Sequence, residues 1–290
     1  RHYPNILKST KQIFVHKIKD FILTQSDQLF IFAFVSLKMV AYFGNYVLVI
    51  TKLCGFFNTI LESVSASVGN LVAEGNKAKM LKVFWELMAV RYFIAGMVCF
   101  CVWQLINPFI KLWLGAEYIL SDLIIGIMLV NQFIFISRGA VDNFNFAYGH
   151  YGDIWAAWIE GIINVTATIL FGWLWGMPGI LLGKTVSLIP IIVIWKPLYL
   201  FRDGFHESYL RYWSNTLRYY LAFGAAATLI WLLLRVVSFN PYEAFSDWII
   251  YSSICGISFA TLYFGLITWW CPGGRNLIHR LPLQKIGIKL

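Results

Sequence analysis

Residues 161–183 and 248–274 carry no charged side chain, and neither do residues 92–110 and 219–234. Each run is close to the ~20 apolar residues that a helix needs to cross a bilayer. A soluble chain could not bury four such segments. Hydrophobic residues make up 59% of the sequence and charged residues 13%, about half the share usual in soluble domains. The solvent around most of this chain is therefore lipid. The hydropathy pattern predicts an all-α polytopic membrane protein with about eight transmembrane helices, near 12–35, 39–72, 83–109, 120–146, 152–175, 178–200, 212–236 and 248–271.

The distribution of basic residues tests that count. The chain has a net charge of +9. Arg1, Lys8, Lys11, Lys17 and Lys19 lie in the first segment, and Lys77, Lys79 and Lys82 in the second-to-third connection. Arg202 and Arg211 lie between helices six and seven, and Arg275, Arg280, Lys285 and Lys289 in the tail. Eight helices put all four groups on one side, leaving Lys38, Lys111 and Arg235 opposite. Cytoplasmic loops of membrane proteins are enriched in Lys and Arg, so both ends of the chain are expected in the cytoplasm. The opening RHYPNILKSTKQ starts at Arg1 and reads as the middle of a longer protein.

Buried charge costs about 2.5–3.5 kcal/mol per residue on insertion scales, so the polar residues that do enter the spans are informative. On the fourth helix Asn131, Arg138, Asp142 and Asn145 recur at steps of seven, four and three, which is one helical face. Asp153, Glu160, Asn164 and Thr168 repeat the pattern on the fifth. The second helix carries Asn45, Lys52, Thr59, Glu62 and Asn70, the first carries Lys17, Asp20, Thr24 and Asp27, and the sixth carries Lys184 and Ser187. Helices seven and eight have no such stripe. The pattern predicts six helices lining a shared polar cavity and two facing lipid. Local readings compete: Arg138 and Asp142 can neutralise each other, Asp153 can be a helix-start residue, and Glu160 and Asn164 can bond a neighbouring helix. Glu86 and Arg91, five apart, read as a structural pair.

Connections carry their own signals. Gly172, Gly176, Gly179 and Gly183 flank Met177-Pro178, which predicts two helices packed closely across a short turn. Pro190 is expected to kink the sixth helix and Lys196-Pro197 to end it. The five cysteines include no CxxC pair and read as small apolar residues. The five histidines are scattered, and there is no HExxH, GxSxG or phosphate-binding glycine loop. These features argue against an enzyme, a nucleotide-binding domain and a nucleic-acid partner, and no resident cofactor is expected.

Several longer words are specific. SVSASVGNLVAEGN (63–76), FIKLWLGAEYIL (109–120), RGAVDNFNFAYGHYGDIWAAWIEGIINVTATILFGWLWGMPGILLGKTVS (138–187) and IWKPLYLFRDGF (194–205) resemble the second half of a polysaccharide repeat-unit flippase. That is the Wzx-type polysaccharide biosynthesis family, within the multidrug/oligosaccharidyl-lipid/polysaccharide exporter superfamily. The resemblance covers roughly residues 1–205, and the last two helices agree in pattern rather than in words. It implies a six-helix C-terminal transporter lobe over 1–205, two additional transmembrane helices over 206–272 and a basic cytoplasmic tail over 273–290. It further implies a missing N-terminal lobe, without which the chain is expected not to transport.

The same resemblance implies a bacterial cytoplasmic (inner) membrane protein that exports undecaprenyl-diphosphate-linked oligosaccharide for O-antigen, lipopolysaccharide or capsule synthesis, with polysaccharide polymerase machinery as a further partner. Position then nominates Lys52, Arg138, Lys184, Asn131, Asn145 and Asn164 for the substrate cavity, and Asp27, Glu62, Asp142 and Glu160 for a coupling H⁺ or Na⁺. The alternatives are a cation-coupled multidrug antiporter, which calls for a more acidic lining, and a membrane-embedded glycan polymerase, which calls for a large outer loop that this sequence lacks.

Overall fold

The computed structural model describes residues 14, 27–63, 65–150 and 154–280. Among these residues there is no strand, and seven helices are long and apolar enough to cross a membrane. The chain is an all-α polytopic membrane fold. The first expected helix lies largely outside the described residues, although 27–34 are helical. Lys17, Asp20, Thr24 and Asp153 also lie outside them.

The first described span joins α1 (Leu37–Glu62) to α2 (Ser65–Glu74). Ser36 caps α1 by accepting from the Met39 amide at 3.2 Å. The second span is a single helix, α3 (Lys77–Leu114), of 38 residues. At 1.5 Å per residue it is about 57 Å long, well beyond the ~30 Å hydrocarbon core. Asn76 caps it by accepting from the Lys79 amide at 3.1 Å. Lys77, Lys79 and Lys82, expected in a connection, instead form its first turns. The cap starts the helix before the apolar stretch, and Lys79 is neutralised by Glu74 at 2.6 Å.

The third span is α4 (Asp122–Ser137) followed, across Arg138, by α5 (Gly139–Ala147). A hairpin of α6 (Ile154–Trp175) and α7 (Met177–Leu188) comes next. Gly176 makes the turn at φ 61°, a conformation open to glycine at no steric cost. The seam is as tight as the sequence predicts. A Cβ on Gly179 would stand 1.9 Å from the Phe171 carbonyl oxygen, and one on Gly183 would stand 2.5 Å from the Thr168 nitrogen.

Beyond Leu188 the helix does not end at Lys196-Pro197. It continues as a π-helical segment (Ile189–Trp195), the short α8 (Lys196–Tyr199) and a second π segment (Leu200–Gly204). Wider π turns absorb the missing N–H of a proline and its ring clash. Pro190 and Pro197 each sit at the first turn of a new segment rather than inside a regular α ladder.

Two more spans complete the bundle, α9 (Tyr209–Leu234) and α10 (Phe245–Trp270), before the short α11 (Gly274–Arg280). These spans do not face lipid all round. Cys255, Phe259, Tyr263 and Ile267 of α10 are fully buried, with Phe259 stacked on Phe100 of α3 at 4.2 Å. The Tyr263 hydroxyl donates to the Tyr92 carbonyl at 3.1 Å, and Tyr219 of α9 donates to the carbonyls of Trp85 and Pro272. The core is therefore continuous around α3, and Leu221, Leu229 and Ile257 are left outside.

Contacts define two ends. Lys77, Glu207 and Arg211 meet at the basic end. Leu105, Lys111, Tyr242 and Trp248 meet at the opposite end.

Candidate functional site

The charged candidates are spread through the height of the bundle. At 1.5 Å per residue, Lys184 stands about 10 Å from the start of its span, and Lys52 and Arg138 stand about 22–24 Å from the starts of theirs. Asp142 and Lys196 are deeper along their helices, at about 30 Å. The spans that carry them all start at the end opposite the basic one, so the order is a ladder of charge between the two membrane faces.

The lowest rung is the most elaborate. Asp142 receives Lys196 at 3.1 Å and Arg138 at 3.3 Å. All three side chains keep 17–18% of their surface exposed, so they reach the surface of the bundle rather than lie sealed in its core. The Arg138 guanidinium also lies 5.2 Å from the Phe135 ring centre. Asn145 donates to the Lys196 carbonyl at 3.3 Å and contacts His150 Nδ1 at 3.0 Å. His150 stacks on Tyr199 at 4.5 Å.

Beside it, Glu62 of α1 meets Arg91 of α3 at 2.9 Å. Arg91 is 2% exposed and also donates to the Ile136 carbonyl at 3.3 Å. Arg91 thus reaches across to α1, whereas the sequence paired it with Glu86. The guanidinium occupies the space over Gly139, where a Cβ would come within 1.8 Å of Nη1. Gly139 follows Arg138, so the two charge groups are adjacent, with Arg91, Arg138 and Lys196 facing Glu62 and Asp142.

Near the other end, Lys184 pairs with Asp27 at 3.4 Å. Between the two levels Lys52 is exposed on α1 and has no ion pair among the described residues. Thr51, Thr59, Glu62 and Asn70 are exposed on the same span, whereas Phe43, Tyr46, Ile50 and Cys54 are buried. The polar stripe of α1 is thus exposed, alongside the apolar Leu48, Phe56 and Ile60 of the same helix.

Three other candidates lie in helix seams. Asn164 is 1% exposed and donates to Ser187 Oγ at 3.4 Å. Glu160 is fully buried on the same face of α6. Asn131 donates to the Leu181 carbonyl at 3.3 Å and accepts from Thr185 at 2.8 Å. The cause is the glycine seam, which draws α7 so close that the α6 stripe turns toward it. Sequence reasoning missed Lys196, Tyr199 and the long-range role of Arg91. Twelve residues of regular α-helix would leave Lys196 about 120° away from Lys184. The π segment turns less per residue and rotates Lys196 back, and no α-helical periodicity signals that.

No protein-family model and no curated protein matches the sequence. A solved structure does resemble it: "Lipid II flippase MurJ, inward closed conformation", with a TM-score of 0.58 and 16% identity. The match covers 91% of this chain and 55% of that one, so the chain spans about half the length of the structure it matches. At that identity the likeness concerns the fold, and the fold is a MurJ-like polytopic helical membrane fold.

Proposed function

We propose that this chain forms one lobe, with two additional helices, of a bacterial cytoplasmic-membrane exporter that flips undecaprenyl-diphosphate-linked oligosaccharide repeat units by alternating access. The observation that carries the reading is Lys52, exposed on a helix of membrane-spanning length with no ion pair among the described residues. A lysine there cannot face hydrocarbon cheaply. It calls for a water-filled cavity, closed on its far side by a second lobe.

The charge ladder suits a diphosphate, which cannot cross hydrocarbon unaided. Arg138 offers a fork for phosphate oxygens, with Lys52 as a point charge near its level and Lys184 as another nearer the opposite end. Asp142 already holds Arg138 and Lys196. An arriving diphosphate would compete for both cations and leave that carboxylate to take up H⁺ or Na⁺. Substrate and coupling ion would then be linked through shared partners, with Asp27 doing the same at Lys184. Rocking of this lobe against its counterpart would carry the bound headgroup from one face to the other. The fold neighbour is a lipid II flippase, which supports a lipid-linked glycan as the substrate class. The fully buried Glu160 favours a second reading, a cation-coupled multidrug antiporter.

The test uses the full-length parent gene. Its deletion should make lipid-linked repeat units accumulate on the cytoplasmic leaflet, and wild type should clear them. Lys52→Leu should insert and melt within about 0.5 kcal/mol of wild type, as for a surface change that breaks no contact. Export by that variant should fall roughly tenfold, the factor for loss of one charge-assisted contact, and Lys52→Arg should recover much of it. Normal glycan export with raised drug sensitivity in the deletion strain would overturn the flippase reading in favour of the antiporter.

A further inference from the structure

A second polar recess lies at the end opposite the basic one, between the ends of α9 and α10 and the flank of α3. It is a cavity of about 390 Å³, lined by Gln104, Trp231, Arg235, Asn240, Tyr242 and Tyr251 together with apolar neighbours. That volume is within the range of small-ligand sites. None of the charge ladder borders it.

Its lining is rich in donors. The Arg235 guanidinium lies 3.7 Å from the Trp231 ring centre, a cation–π contact, and has no ion pair among the described residues. Gln104 Nε2 is buried in the wall without a hydrogen-bond partner. A buried donor left in that state costs about 1–3 kcal/mol. Tyr242 lies in the connecting loop, and burial, aided by the nearby Asp122 carboxylate, raises its hydroxyl above the ordinary value. It therefore stays a protonated donor. Two carboxylates lie nearby: Glu243 accepts from Asn240 of the lining at 2.7 Å, and Asp122 accepts from Asn107 at 3.3 Å. Lys111 adds a second cation, 5.5 Å from the Tyr242 ring centre.

The recess also lies at the ends of two helices of membrane-spanning length, where the headgroups of a surrounding bilayer would sit. Trp231, Tyr242 and Tyr251 are the aromatic types enriched at a membrane interface, and the apolar Leu232, Leu233, Ile249 and Ile250 beside them are exposed. We propose that this recess binds the phosphodiester headgroup of an anionic membrane lipid. Arg235 would donate to its non-bridging oxygens, and its acyl chains would lie along the exposed strip. Basic pockets between transmembrane helices hold headgroups by this chemistry. The inference needs only a membrane-embedded chain and is independent of the transport reading.

The experiment is native mass spectrometry of the full-length protein in detergent, titrated with phosphatidylglycerol, phosphatidylcholine or inorganic phosphate. Wild type should retain phosphatidylglycerol over phosphatidylcholine. Arg235→Gln, which keeps a planar group over Trp231, should weaken that retention about fivefold, the factor for ~1 kcal/mol per basic residue near an anionic surface. Gln104→Glu, similar in shape but anionic, should weaken it further. Arg275→Gln, the same loss of charge at the opposite end, should change it less than twofold. Displacement of the lipid by millimolar phosphate would assign the site to a free anion of the same chemistry, and persistence would assign it to the lipid. Equal phosphatidylglycerol retention by wild type, Arg235→Gln and Gln104→Glu would overturn the proposal, as would loss of retention in Arg275→Gln as large as in Arg235→Gln.

Discussion

Arg91 sits deep in the bundle because residue 139 has no side chain. The guanidinium fills the volume that a Cβ on Gly139 would need, 1.8 Å from Nη1, and Glu62 together with the Ile136 carbonyl meets its hydrogens. Gly139→Ala should therefore lower stability by about 1–3 kcal/mol, the usual cost of overpacking a filled core, measured by thermal unfolding in detergent. Arg91→Lys in the alanine background should recover part of the loss, since an ammonium does not need the planar fork's space. A Gly139→Ala protein with unchanged melting would show that the guanidinium sits elsewhere. The glycine itself was visible in the sequence, within SRGAV, and so was the buried arginine. Their meeting was not, because 48 positions separate them and no helical period spans that distance.

Among the helices, the α6–α7 hairpin illustrates what local spacing can specify. Glycines at 172, 176, 179 and 183 about a Met-Pro step announce close approach, and the seam has it. Gly183→Val should place methyl groups inside the backbone of residue 168, where a Cβ alone comes within 2.5 Å. The hairpin should splay, and protease resistance across 154–188 should fall together with the melting temperature. Gly161→Val on the facing helix α6, where a Cβ meets nothing within 4 Å, should do neither. Equal behaviour of the two variants would remove the seam from the account. The sixth span shows the opposite case. Its prolines announce irregularity, but the choice between a break and a π continuation depends on what the freed carbonyls find around them. That choice moved Lys196 from an expected helix end to the side of Asp142.

Across the whole molecule, Glu207 ties the two halves of the basic end together. It receives Lys77 of α3 at 3.0 Å and Arg211 of α9 at 2.9 Å. Hydrogen bonds from Lys77 first, and then from Arg211, hold its carboxyl below the ordinary glutamate value. The contribution is therefore fully present above that ordinary value and fades as the pH falls through the lower, folded one. The hydrogen-exchange protection of residues 205–211, taken relative to the intrinsic rate at each pH, should fall on acidification over that window, while Glu207→Gln should show the lower protection at every pH. Because the pair is near the surface, the effect should shrink in high salt. An acid response that survives Glu207→Gln would point to another group.

Composition and charge-free runs alone made this chain a helical membrane protein, because every backbone polar group in lipid must be satisfied within its own segment. The period of its polar residues also placed a stripe on each of several helices. Which stripes stay open and which close was decided only by tertiary packing. The stripe of α1 stays open, with Lys52 exposed, while that of α6 is turned into a seam by glycines on its neighbour. Spacing within a helix fixes a face, but the direction in which that face points is set by the helices that pack on the others.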